Sequence, residues 1–185
     1  MTAFREHGYE GTSIQDLVEA TGVGRGSLYA AFGSKEGLYL AAVDRYREQY
    51  VTPLIELLRD GSSARKVIRE VLVARIDDIV RDGNRLACLI VSAAMERVAD
   101  DPETARRVRA TTESLEDALT EIIAAGQAAG EFNGERDARD LARFVVTTLQ
   151  GLRVMGAINT DRRSLMAAAE VAVGALGLCS HAQII

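Results

Sequence analysis

Gly11-Thr12-Ser13-Ile14-Gln15-Asp16-Leu17-Val18-Glu19-Ala20-Thr21-Gly22-Val23-Gly24-Arg25-Gly26-Ser27-Leu28-Tyr29 reads as two short helices and the tight turn between them. Ser13 followed three residues later by Asp16 is a capping-box start, with Asp for the usual Glu or Gln, and Leu17 and Val18 supply an apolar face. Gly22 stands where a helix ends in a left-handed turn. A second helix runs from Arg25 to Ala31, and Gly33-Ser34 separates it from a third, capped by Ser34 with Glu36 in its first turn. This is the form of a helix-turn-helix, with a small core expected from Val18, Val23 and Leu28. Arg25, Gly26, Ser27 and Tyr29 are left on the outer face of the second helix, near its N-terminus. Free amides, a positive dipole end and short side chains there suit a major groove. An αα-hairpin without that role shares the same helix pattern.

Outward from this stretch, the composition changes. Seven of the nine aromatics lie in the first fifty residues, at Phe4, Tyr9, Tyr29, Phe32, Tyr39, Tyr46 and Tyr50, and only Phe132 and Phe144 follow. Large side chains fill a core made from short helices, whereas the rest of the chain uses Ala, Leu, Val and Ile at helical spacing. Two modules are expected, a helix-turn-helix domain over 1–46 and a helical bundle over 47–185, with Pro53 kinking the helix between them. Five further helices are predicted: Ala64–Arg81, Arg85–Ala99, one opened by Asp101-Pro102-Glu103 and closed by Gly130, Asp137–Ile158, and Ser164–Leu178. No period-two pattern competes, so the predicted fold is all-α.

The 185 residues carry a net charge of −5, which argues against a protein that coats nucleic acid along its whole surface. Residues 21–35 nevertheless carry Arg25 and Lys35 with no acid among them, so a small, local DNA contact stays open. Cys88 and Cys179 form no C-x-x-C pair, which argues against a disulfide framework or zinc ribbon. No signal-peptide pattern and no bilayer-length apolar run appear, so a soluble, cytoplasmic protein without membrane partners is expected. His7 and His181 are the two histidines, and neither sits in a Glu-x-x-His spacing. Asp77-Asp78-Ile79-Val80-Arg81-Asp82 superficially resembles an aspartate-rich metal motif but has no second cluster, and reads as a solvated helix face. No enzyme, no metal and no cofactor is expected.

Leu28-Tyr29-Ala30-Ala31-Phe32-Gly33-Ser34-Lys35-Glu36-Gly37-Leu38-Tyr39, with Gly8-Tyr9 and Thr12-Ser13 before it, strongly resembles the DNA-binding segment of TetR-family transcriptional regulators. The match covers about residues 3–46. The resemblance implies a homodimeric one-component regulator, usually a repressor, that binds a palindromic double-stranded operator and releases it when a small-molecule inducer binds. It implies phosphate contacts for Tyr29, Lys35 and Thr12, groove-facing positions for Arg25, Gly26 and Ser27, and a base contact for Gln15. Gly24 departs from the family's usual serine cap, and Ala30 and Ala31 replace larger residues, leaving more of the readout to DNA shape. The family's first helix begins well before Phe4, so either the sequence is trimmed or its start lies upstream.

In the resembled family the last two helices of each subunit form a four-helix interface. Here this implies an interface of Leu149, Leu152, Leu165, Ala169, Ala172, Val173 and Leu176. A ligand pocket is expected within 55–158, lined by Leu89, Met95, Leu119, Phe144, Val145 and Met155; such aliphatic and methionine walls suit a neutral or lipophilic ligand. Cys88, predicted inside an apolar helix one turn after Arg85, is a candidate redox sensor, with inert packing as the alternative.

Overall fold

The computed structural model describes residues 1–59, 63–83 and 87–177. Several helix starts sit where a side chain accepts the first free amides. Ser13 Oγ accepts from Asp16 N while the Asp16 carboxylate accepts from Ser13 N, so the capping box forms as expected. Ser34 caps with a bond from Gly37 N, and Asp137 and Asp161 each accept two amides. The resulting helices are α1 Thr2–His7, α2 Ile14–Thr21, α3 Arg25–Phe32, α4 Lys35–Tyr46, α5 Thr52–Leu58, α6 Ala64–Asp82, α7 Leu89–Glu96, α8 Pro102–Ala128, α9 Ala138–Ile158 and α10 Arg162–Ala175. The fold is all-α.

Between α4 and α5 the helix widens into a π turn over Arg47–Val51, where Thr52 N reaches back five residues to Arg47 O. Pro53 explains it. Its ring has no N–H to donate and would collide with the Gln49 carbonyl in a regular helix, so the extra residue relieves the clash.

The chain folds into two compact units, one of Met1–Thr52 with Arg85–Thr111, the other of Pro53–Asn84 with Thr112–Ile185. The first unit holds the aromatic cluster. Phe4 and Tyr39, both fully buried, meet edge to face at 5.0 Å, and Tyr9 meets Tyr39 at 4.9 Å. Leu17 and Leu28 join α2 to α3 in the core, whereas Val23 is 40% exposed. The predicted Val18–Val23–Leu28 core is therefore corrected to Leu17 and Leu28, because the αL turn at Gly22 carries Val23 outward. α7 is shorter than predicted, since Cys88 caps it from extended backbone instead of lying within it. Arg85 lies outside the described residues, as do Cys179 and His181.

In the second unit, Val67, Ile68, Val71, Leu72 and Ile76 of α6 pack with Leu119 and Ile123 of α8 and with Val145, Leu149 and Leu152 of α9. Glu131 supplies a distant cap, its carboxylate accepting from Ala64 N and Arg65 N at the start of α6. By length and composition α9 could cross a membrane, but here it is a core helix with one buried face.

Candidate nucleic-acid interface

α2 and α3 are joined by Gly22 at φ 68°, ψ 7°, the left-handed conformation expected there. α3 follows from Gly24, which offers no side-chain cap; Leu28 N donates to Gly24 O. The preceding amides of Arg25, Gly26 and Ser27 lie at the positive end of the helix dipole, available to an anion or a base edge. All three residues are exposed. A Cβ at Gly26 would meet nothing within 4 Å, so α3 presents bare backbone at that point.

Tyr29 is half-buried beneath Arg25, whose guanidinium carbon lies 5.3 Å from the ring centroid. Lys35, also half-buried, holds its ammonium 4.3 Å from the centre of the Tyr9 ring. Gln15 is exposed and donates to Glu19 at 2.9 Å. Thr12 is fully buried: its hydroxyl donates to Gly8 O at 2.6 Å, so it closes the turn between α1 and α2. Six of the seven residues expected at DNA thus reach solvent, and Thr12 does not.

Sequence reading missed the support beneath Lys35. Tyr9 N donates to Glu96 Oε2 at 2.7 Å, and the Arg97 guanidinium lies 4.2 Å from the Tyr9 ring. Arg97 also pairs with Asp101 at 3.3 Å and Glu10 at 3.8 Å. Burial pushes the Tyr9 phenol above its ordinary pKa. Partners 87 residues apart leave no local pattern, so only the charged pair Glu96-Arg97 at the end of α7 could have hinted at this contact.

The remaining expected site residues scatter. Leu89 is fully buried and Met95 83% exposed in the first unit. In the second, Leu119 and Val145 are core, while Phe144 and Met155 are exposed. Phe144 lines a cavity of about 450 Å³ with Asp137, Asp140, Leu141 and Ala175. Cys88 is buried and forms no disulfide among the described residues. The expected interface residues Leu149, Leu152, Leu165, Ala169, Ala172, Val173 and Leu176 are all buried by their own chain. Among the described residues, no group of three or more His, Cys, Asp or Glu could hold a metal ion.

Residues 1–42 match the family described as bacterial regulatory proteins, tetR family, and residues 64–172 match the tetracyclin repressor-like C-terminal domain. The HTH-type transcriptional regulator YezE of Bacillus subtilis (strain 168) is 34% identical over 94% of this chain and 90% of its own length. The HTH-type transcriptional repressor ComR of Escherichia coli (strain K12) is 28% identical over 90% and 80%. Among solved structures, a cysteine mutant of the regulator CifR, complexed with 26-bp double-strand operator DNA, superposes with a TM-score of 0.84. It is 31% identical, covering 95% of this chain and 91% of that one.

Proposed function

The chain belongs to the TetR family of bacterial regulatory proteins, and we propose that it is a cytoplasmic, homodimeric transcriptional repressor that docks α3 into the major groove of a palindromic operator. The observation that carries this reading is the exposed N-terminus of α3, where Arg25, Gly26 and Ser27 stand clear of the protein beside Tyr29. Arg25 reads a base edge, while Tyr29 and Lys35 bind phosphate and fix the register. The solved CifR complex with operator DNA supports the same use of the fold. A small, largely apolar ligand held by the bundle favours a spacing of the two recognition helices that no longer fits DNA.

Fluorescence anisotropy on DNA from around the chain's own gene tests this. Arg25→Ala weakens specific binding by about 1–3 kcal/mol and relaxes sequence preference, whereas Lys35→Ala lowers the salt slope by about 1. Equal binding by wild type and Arg25→Ala to all sequences would contradict the reading.

The dimer forms through the outward stripe of α9 and α10. Phe144, Val154, Met155, Ile158 and Val171 are 43–73% exposed there, and Gly151 and Gly174 have open space where a Cβ would stand. Apolar side chains with small gaps between them suit close helix packing in a two-fold interface. Sedimentation velocity is expected to show a dimer that Ile158→Glu converts to monomer; an unchanged dimer would place the interface elsewhere.

A further inference from the structure

Lys35 opens α4 directly after the Ser34 cap and is half-buried. Its ammonium stands 4.3 Å from the centre of the Tyr9 ring and makes no ion pair among the described residues. The nearby Asp16 carboxylate is committed to the Ser13 amide in the capping box. Arg97, the second cation over the same ring, is in the opposite condition: Asp101 lies 3.3 Å from it and Glu10 3.8 Å. One ring thus carries a compensated guanidinium and an ammonium whose N–H donors stay available.

Packing accounts for only part of Tyr9. Its ring meets Tyr39 at 4.9 Å and Phe4 at 6.4 Å, at the edge of the aromatic core. A leucine would fill that space but offers no negative π face to a cation. The backbone fixes the ring as well. Tyr9 N donates to Glu96 Oε2 at 2.7 Å, through a gap that Gly8 leaves open, since a Cβ there would come within 2.3 Å of Glu96 Oε1. Glu96 and Arg97, at the end of α7, therefore hold the ring on which Lys35 rests. A lysine loose in solvent gives up rotamer freedom when a phosphate fixes it. One already resting on a ring gives up less, and the difference appears as affinity.

We propose that Tyr9 is a positioning residue for DNA binding: its ring holds the Lys35 ammonium ready for a backbone phosphate, and Glu96 and Arg97 hold the ring. This rests on the reading that Lys35 meets phosphate. Tyr9 acts wholly through Lys35 and makes no DNA contact of its own. A phosphodiester carries no sequence information, so loss of the ring weakens specific and non-specific DNA alike and leaves the preference set by Arg25 in place.

The test compares full-length wild type, Tyr9→Phe, Tyr9→Leu and a protein with pentafluorophenylalanine at position 9, by anisotropy on double-stranded DNA from around the chain's own gene. Pentafluorophenylalanine keeps a ring in place but reverses the sign of its face, so it serves if the leucine variant does not fold. Tyr9→Phe is expected to bind as the wild type does. Loss of the π face should weaken binding about three- to tenfold for each Lys35 engaged, the size of a partly exposed cation–π contact. In a Lys35→Ala background the same changes should cost nothing further, whereas a merely structural role would weaken binding in both backgrounds. The Lys35 ε-methylene proton signals should be displaced by the ring current in the DNA-free wild type and return to ordinary values in Tyr9→Leu. Unchanged binding without the π face, equal losses in the two backgrounds, a loss in Tyr9→Phe or undisplaced wild-type signals would overturn the proposal alone. Absence of DNA binding by the wild type would overturn the repressor reading along with it.

Discussion

Gly8→Ala is expected to destabilise the first unit by about 3–5 kcal/mol, from backbone strain together with a lost charge-assisted hydrogen bond. Gly8 ends α1 at φ 70°, ψ −173°, a region that side-chain-bearing residues essentially never occupy. A Cβ built there lies 2.3 Å from Glu96 Oε1. The carboxylate is the far end of a flexible side chain, so the overlap alone is cheap to relieve. Moving it, however, breaks the 2.7 Å bond from Tyr9 N, the contact beside the ring over which Lys35 sits. Gly22→Ala is the control. Its φ of 68° is also left-handed, yet a Cβ there meets nothing within 4 Å, so the cost should be about 1–2 kcal/mol. Denaturant titration measures both. If the Glu96 contact matters, Gly8→Ala in a Glu96→Ala background should cost measurably less than in the wild type. Equal cost in the two backgrounds would assign the whole effect to backbone strain.

The second large effect is at Asp101, which caps α8. Its carboxylate accepts from Glu103 N at 3.0 Å, from Thr104 N at 3.3 Å and from the Thr104 hydroxyl at 2.5 Å, while Arg97 pairs at 3.3 Å. Asp101 is 4% exposed and Thr104 fully buried. Asp101→Ala removes a cap and leaves a buried hydroxyl without its acceptor, for an expected cost of about 2–4 kcal/mol. Burial alone would raise the Asp101 pKa, but the Thr104, Glu103 and Arg97 bonds together hold it below the ordinary 3.8. The folded state therefore binds this proton less readily than the unfolded one. The carboxylate's stabilising contribution is present above pH 3.8 and is lost as pH falls through the depressed folded value. Denaturation midpoints of wild type and Asp101→Asn should accordingly converge in acid; a constant gap across that range would exclude the carboxylate as the cause.

What the sequence makes legible follows the range of the interaction. The Ser13–Asp16 box, the Ser34 cap and the turn at Gly22 involve neighbours within a few residues, and each stands where the residues say it should. The exposed N-terminal end of α3 is legible for the same reason. The orientation of α9 and α10 is not. Both are apolar on two sides, so the stripe through Leu149 and Leu152 looks as suitable for a partner as the one through Gly151 and Ile158. Only packing against α6 shows that the first is already covered. Val23 looked like core because it is apolar and follows a turn, but the left-handed glycine before it sends it outward. The Tyr9–Glu96 contact and the Arg153–Asp78 approach join distant parts of the chain, and a lone arginine in a helical stripe reads as surface until its neighbours are known.

The central claim, that α3 of a two-fold dimer reads DNA, is tested most directly by selecting binding sites for the full-length protein from a pool of random double-stranded DNA. The account predicts enrichment of an inverted repeat whose half-sites lie one helical turn or a multiple apart, with the preference degraded when Arg25→Ala replaces the wild type. No enriched sequence, or the same repeat selected equally well by Arg25→Ala, would contradict it.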